Sequence, residues 1–194
     1  MTHKGTKTLE NNRLLLRRFT LDDAQAMYDN WGSAPEVSKY LAWPVHTSVN
    51  DSREVLGSWV PQYKNDDFYD WAIVLKEYGD TPIGGISTCN HEDKTKMVEV
   101  GYCVGQKWWG QGITTEAFKL VISFFFNEVK VNRIMAKHDT KNPASGRVME
   151  KCGLIYEGTL RQSGVNKQGV CDKAIWAILA QDYYSTHFLE DRLN

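Results

Sequence analysis

The stretch from Val98 to Ala117 limits what this chain can fold into more than any other. It reads Val-Glu-Val-Gly-Tyr-Cys-Val, then Gly105-Gln-Lys-Trp-Trp-Gly110-Gln-Gly112-Ile-Thr-Thr, and continues into an apolar helical run. A glycine-bearing turn between a strand and a helix leaves backbone amides exposed at the helix start, where the helix dipole adds partial positive charge. Such a turn suits a phosphate. Gly110 and Gly112 lack a β-carbon, so the main chain there can take positive φ and come close to a ligand.

The letters narrow the choice of phosphate ligand. A P-loop needs Gly, four residues, Gly, then Lys and Ser or Thr; Gly105 and Gly110 have that spacing, but Gln111 and Gly112 follow, so the phosphate-binding lysine is missing. A dinucleotide fingerprint needs Gly-x-Gly-x-x-Gly, and Thr115 stands where the third glycine belongs. Both nucleotide readings are disfavoured.

At 194 residues without a visible linker, one domain over 1–194 is expected. A hydrophobic content of 42% and a charged content of 24% are ordinary for a globular protein and argue against long disorder. The net charge of -1 gives no broad basic field to draw nucleic acid or an anionic membrane, so neither is an expected partner. The first residues, Met-Thr-His-Lys-Gly-Thr-Lys, lack the apolar core of a signal peptide, and no run approaches the roughly 18 apolar residues of a membrane span. A cytoplasmic protein with a flexible extension over 1–11 is expected. Cys89, Cys103, Cys152 and Cys171 form no Cys-x-x-Cys and read as free thiols, and the scattered histidines form no His-x-x-x-His, so no metal is expected.

Along the chain, Leu14 to Phe19 reads as a strand, and Thr20-Leu-Asp-Asp as the start of a helix ending near Asn30 to Gly32. Pro35 opens a short helix and Asp51 a longer one. Strands follow at Phe68 to Lys76, Pro82 to Cys89 and Met97 to Val104; Gly84-Gly85 marks a bulge, a close backbone approach or a loose edge. After the central helix come a strand (Asn132 to His138), a helix (Pro143 to Cys152, with Gly153 beyond its end), two strands (Leu154 to Arg161, Val170 to Leu179) and a last helix. The pattern is a mixed α/β domain around one sheet of about six or seven strands.

Trp109-Gly-Gln-Gly-Ile-Thr, with Asn142-Pro-Ala-Ser145 ahead of Met149-Glu-Lys-Cys-Gly153-Leu about 30 residues on, resembles the GCN5-related N-acetyltransferases (GNAT), in the branch of the RimJ and RimL ribosomal-protein acetyltransferases. The resemblance covers most of the chain, from Arg13 to the Trp176-Ala-Ile-Leu strand. It implies a mostly antiparallel sheet with splayed middle strands, flanked by helices, in a monomer or homodimer. It also implies acetyl-CoA, with its pyrophosphate on the amides of Gly110, Gln111, Gly112, Ile113 and Thr114. The family pattern there is Gln or Arg, two residues, Gly, one residue, then Gly or Ala; this chain has Trp109, Gly112 and Thr114 at those places. The pantetheine arm would pair with the backbone of Cys103 and Val104, and Asn142 would cap its helix, bind the arm, or both.

Moving an acetyl group to an amine takes a base for the amine proton, a polarised carbonyl and a proton source for the departing sulfur. By the resemblance Glu99 supplies the base, the alternative being a strand-face carboxylate in a salt bridge. Ser145 supplies the donor, the alternative being a first-turn residue bonding backbone amides. The acceptor would be a protein N-terminus, a polyamine or a small-molecule amine, bordered by residues from Asn30 to Tyr63 and by the turn at Asn166 to Gly169. A domain that holds acetyl-CoA without turnover, as sensor or scaffold, is the alternative function.

Overall fold

The computed structural model describes residues 1–190. In chain order the elements are β1 (Leu9–Glu10), β2 (Leu14–Arg17), α1 (Ala24–Met27), α2 (Pro35–Ser38), α3 (Val49–Trp59), β3 (Asp70–Leu75), β4 (Pro82–Glu92), β5 (Met97–Val104), α4 (Ile113–Phe124), β6 (Arg133–Asp139), α5 (Pro143–Lys151), β7 (Ile155–Asn166), β8 (Gly169–Leu179) and α6 (Ala180–Glu190). They build one eight-stranded sheet, ordered β1-β2-β3-β4-β5-β6-β8-β7 and antiparallel at every junction except β5 with β6. The strand beyond the expected number is β1, a two-residue pairing of Leu9 and Glu10 with Leu16 and Leu15.

Helices cover both faces, which is why β3 is buried along its whole length and carries little polar alternation. Trp71, Ile73 and Leu75 pack in one cluster with Phe118 and Val121 of α4, while Ala72 packs in a second with Phe19, Leu56 and Tyr63. Trp71 is fully buried, and truncation of such a side chain to Ala costs about 3–5 kcal/mol. On α4, Ile113, Ala117, Phe118, Val121, Ile122 and Phe124 are buried, so its apolar letters reflect cover on more than one side. The helix continues as a π-helical turn, Phe125–Val129, and ends where Lys130 takes a φ of 61°.

The expected flexible extension over 1–11 is instead docked. The Thr2 amide donates to Val129 O (2.8 Å), Thr6 is buried with its hydroxyl donating to Phe68 O (2.9 Å), and Lys7 O accepts the Trp71 indole N–H (2.6 Å). The last bond gives the reason: an indole donor on a buried strand needs an acceptor, and this segment supplies it. The helix expected from Thr20 is broken into a 3-10 turn (Leu21–Asp23), α1 and a π-helical turn (Tyr28–Gly32). Its start is as read: the Asp23 carboxylate accepts the Thr20 amide (2.8 Å) and two bonds from the Arg17 guanidinium (2.8 Å each), fastening β2 to α1. At Gly84 the close-approach reading holds, since a β-carbon there would lie 2.3 Å from Cys103 O on β5.

Candidate active site

Strands β5 and β6 are parallel partners only at Met97 with Arg133, Val98 with Ile134 and Glu99 with Met135. Beyond Glu99 they part, β5 staying with β4 and β6 with β8. A cleft of about 900 Å³ runs along the opening, bordered by the ends of both strands and the starts of α4 and α5. The splayed middle strands expected from the resemblance are therefore present.

The glycine turn forms one end. Gly110 and Gly112 have φ of 75° and 78°, the left-handed conformation for which glycine is suited, and Gly112 is the residue from which α4 starts. Gly110, Gly112, Ile113 and Thr114 all border the cleft, Ile113 with its side chain in the core. Gln111 is not among the residues bordering it; its carbonyl accepts from Arg13 Nη1 (3.0 Å) and its side-chain amide donates to Lys107 O (3.0 Å), and neither bond uses the backbone N–H on which its expected contact with cofactor rests. Trp109, in the place of Gln or Arg, donates its indole N–H to Val104 O (2.7 Å). One of the two strand positions assigned to the pantetheine arm thus already holds a partner, whereas Cys103 borders the cleft beside it. Burial pushes the Cys103 thiol up to about 12, so the sulfur stays protonated and unreactive. A further donor sits along the cleft: the Asn142 side-chain amide, which does not cap α5. The Trp108 indole N–H also has no partner among the described residues, but that atom is enclosed in the protein. An unspent donor and a turn without β-carbons fit a phosphate-bearing, amide-bearing ligand such as acetyl-CoA.

Glu99 sits where the strands part, only 8% exposed, and Lys137 of β6 brings its ammonium 2.9 Å from Oε1 and 3.2 Å from Oε2. Glu99 is thus an ion-pair carboxylate, as one of its two readings had it, and it also lines the cleft. Ser145 lines the cleft from the first turn of α5, its amide donating to Asn142 O (3.2 Å). The Tyr102 hydroxyl lies 3.1 Å from Ser145 Oγ and donates to Ser145 O over 3.1 Å. Neither Lys137 nor Tyr102 stood out in the sequence. His138 is also in the cleft but is committed: Trp176 Nε1 donates to its Nε2 (3.1 Å), which puts its proton on Nδ1, 2.8 Å from Asp139 O.

The other end is made of side chains from distant segments. Glu36, Tyr40 and Leu41 come from α2 and the residues after it, and Ser163 to Val165 from β7. The turn from β7 to β8 reaches across to α2, where the Lys167 ammonium donates to Ser38 Oγ and lies 5.8 Å from the Trp43 ring. Below the turn Asn166 donates to Asp139, a buried carboxylate that also accepts the Lys141 amide (2.8 Å). Within the segment from Asn30 to Tyr63 expected to border the acceptor, Tyr40 borders the cleft, whereas Trp31 and Trp59 pack against Phe19. Outside the cleft lining the fold gathers His3, His91 and Asp93. Lys4 N–H and His3 Nδ1 are both 3.1 Å from the Tyr69 hydroxyl oxygen, and His3 Nε2 is 3.1 Å from Asp93 Oδ1, so the nitrogens of His3 are engaged in hydrogen bonds. Among the described residues no helix is long and apolar enough to cross a membrane.

Residues 13–155 match the family described as Acetyltransferase (GNAT) domain. The chain is similar to an uncharacterized N-acetyltransferase, p20, of Bacillus licheniformis, with 29% identity over 91% of this chain and 98% of the relative. It is similar to the ribosomal-protein-serine acetyltransferase of Escherichia coli (strain K12), with 30% identity over 63% of this chain and 68% of that one. Its fold matches the crystal structure of a GNAT-family acetyltransferase from Bacillus anthracis with a TM-score of 0.78 at 26% identity, covering 90% of this chain and 99% of the other. A family match over that length, on a sheet whose central strands part beside a glycine turn, makes the chain a member of the GNAT acetyltransferases, enzymes that use acetyl-CoA.

Proposed function

We propose that this acetyltransferase moves the acetyl group of acetyl-CoA to a primary amine by direct attack while both are bound. The observation that carries the reading is the continuity of the cleft, which has amide donors at the glycine turn and reaches past Ser145 to Glu99. Acetyl-CoA supplies the activated thioester; the chain supplies the rest. Amides at Gly110, Gly112, Ile113 and Thr114 hold the pyrophosphate, Asn142 and the Cys103 backbone hold the arm, Glu99 takes the amine proton, and Ser145 donates to the departing sulfur. Lys137 reaches both carboxylate oxygens of Glu99, at 2.9 Å and 3.2 Å, and fixes where the carboxylate sits in the cleft.

The acceptor is a protein N-terminus, a polyamine or a small-molecule amine. The relative named for a ribosomal protein is the reason to put N-terminal serine peptides first in a panel. Cys89, Cys103, Cys152 and Cys171 are all free thiols, which suits the reducing cytoplasm. The test mixes the protein and acetyl-CoA with N-terminal peptides, diamines and polyamines, reading thiol release and product mass. An acetylated product establishes transfer and names the acceptor class; cofactor binding without product from any amine would overturn the reading in favour of a holding domain.

A further inference from the structure

Tyr102 belongs to the half of β5 that has left β6, and its ring packs against Phe118 of α4 with centroids 5.6 Å apart. Its hydroxyl reaches the first turn of α5, 3.1 Å from both oxygens of Ser145. Burial raises the phenol's pKa, the bond to Ser145 partly opposing this, so the group is a neutral donor with one proton. That proton has two acceptors. When it goes to the Ser145 carbonyl, the serine hydroxyl can donate back to the phenol oxygen, and its proton is then spent inside the protein. When it goes to Ser145 Oγ, the serine proton is released toward the cleft.

We propose that Tyr102 is a positioning residue for acetyl transfer: by donating to Ser145 Oγ it turns the serine's one proton toward the departing sulfur. The proposal rests on the role given to Ser145 above. No proton leaves either residue. The amine nitrogen forms the new carbon–nitrogen bond and gives its proton to Glu99, the carbon–sulfur bond of the thioester breaks with its electron pair on sulfur, and Ser145 donates a hydrogen bond to the thiolate. Negative charge on sulfur favours this arrangement, because a bond to an ionised acceptor is about twice as strong as one between neutral groups. The switch is one rotation of the phenolic proton, and no heavy atom moves.

The test follows the titration of enzyme-bound CoA by thiolate absorbance, a readout that needs no acceptor. The thiol should titrate at lower pH in the wild-type complex than in the complexes of Tyr102→Phe and Ser145→Ala, with the double variant no different from Ser145→Ala. With an amine that is turned over, Tyr102→Phe should lower kcat about tenfold, as for one lost hydrogen bond, with the acetyl-CoA Kd unchanged and no further loss in the Ser145→Ala background. The phenylalanine keeps the ring against Phe118, and an unchanged melting temperature and Kd report an intact fold. A wild-type titration curve in Tyr102→Phe, or an undiminished effect of that substitution in the Ser145→Ala protein, overturns the proposal alone. Unaltered titration and turnover in Ser145→Ala overturns the serine assignment and this proposal with it.

Discussion

At the glycine-turn end of the cleft the ligand-facing groups belong to one continuous segment, the end of β5 through the start of α4, and many are backbone amides. At the far end they are side chains brought in from α2, β6, β7 and β8. The first end is specified locally, because positive φ and an exposed helix start need only glycines in the right places. The second exists only after the sheet is assembled. A cofactor seat made of backbone tolerates drift in side chains, as Trp109 in the place of Gln or Arg illustrates, while an acceptor pocket made of side chains changes with each of them.

If the two ends are separate devices, a change at one leaves the other's measurement alone. The largest effect is expected between them, at the base. Glu99→Gln should lower kcat about 100-fold, the low end of what general acid–base groups contribute, with the acetyl-CoA Kd within about twofold. Single-turnover rates and calorimetry check the pair; a loss of cofactor affinity in place of rate would move Glu99 to the cofactor end.

Next in size is Gly112→Val. A β-branched residue at φ 78° carries about 1–2 kcal/mol of left-handed strain, and relief of that strain pulls the turn away from its ligand. The acetyl-CoA Kd should rise by about fivefold to thirtyfold by calorimetry, with KM for the acceptor unmoved. No β-carbon clash complicates the result, the closest neighbour being Glu116 Oε1 at 3.9 Å.

Asp70 gives a third measurement, one of stability. It lies on the face of β3 shared with Ala72, buried, and burial pushes its carboxyl up to about 8, opposed by the Trp71 amide. Its folded pKa lies above the unfolded value, so the folded protein binds more protons between the two, and stability falls as pH rises from about 4 to about 8. Asp70→Asn should remove that slope and melt about 2–4 °C above wild type at pH 8, the shift that about 1 kcal/mol produces in a chain of this size. Parallel melting curves at pH 5 and pH 8 provide the check, and equal slopes in both proteins would show that Asp70 is ionised at little cost.

The same division explains what could be read from the sequence. The strand, turn and central helix were legible because each obeys a local rule; Glu99 and Ser145 were assigned by resemblance, and the fold brings both to the cleft. Lys137 was not, because it meets Glu99 only through the pairing of β5 with β6. Tyr102 stood as one more residue of an apolar strand until α5 brought Ser145 against it. The bond from Arg13 to the Gln111 carbonyl was not legible either, because it joins residues far apart in the chain. The docking of residues 1–11 carried no local signal, since it answers the indole of Trp71 and not any periodicity of its own.

The smallest effect should fall at the acceptor end, where Lys167 fastens the turn of β7 and β8 to Ser38. Among the described residues the ammonium is not paired with a carboxylate there; it has a hydroxyl and the Trp43 ring, and desolvation lowers its pKa. Lys167→Ala removes one hydrogen bond, a loss of about 0.5–1 kcal/mol, so KM for the acceptor should rise about threefold as that wall loosens. Because the turn touches nothing at Gly110 or Gly112, the acetyl-CoA Kd should stay where it is. Steady-state kinetics with acceptor varied at saturating acetyl-CoA, set beside calorimetry, separates the two quantities. If Kd moves with KM, the hairpin and the glycine turn are coupled through the cleft, and the two ends are one device.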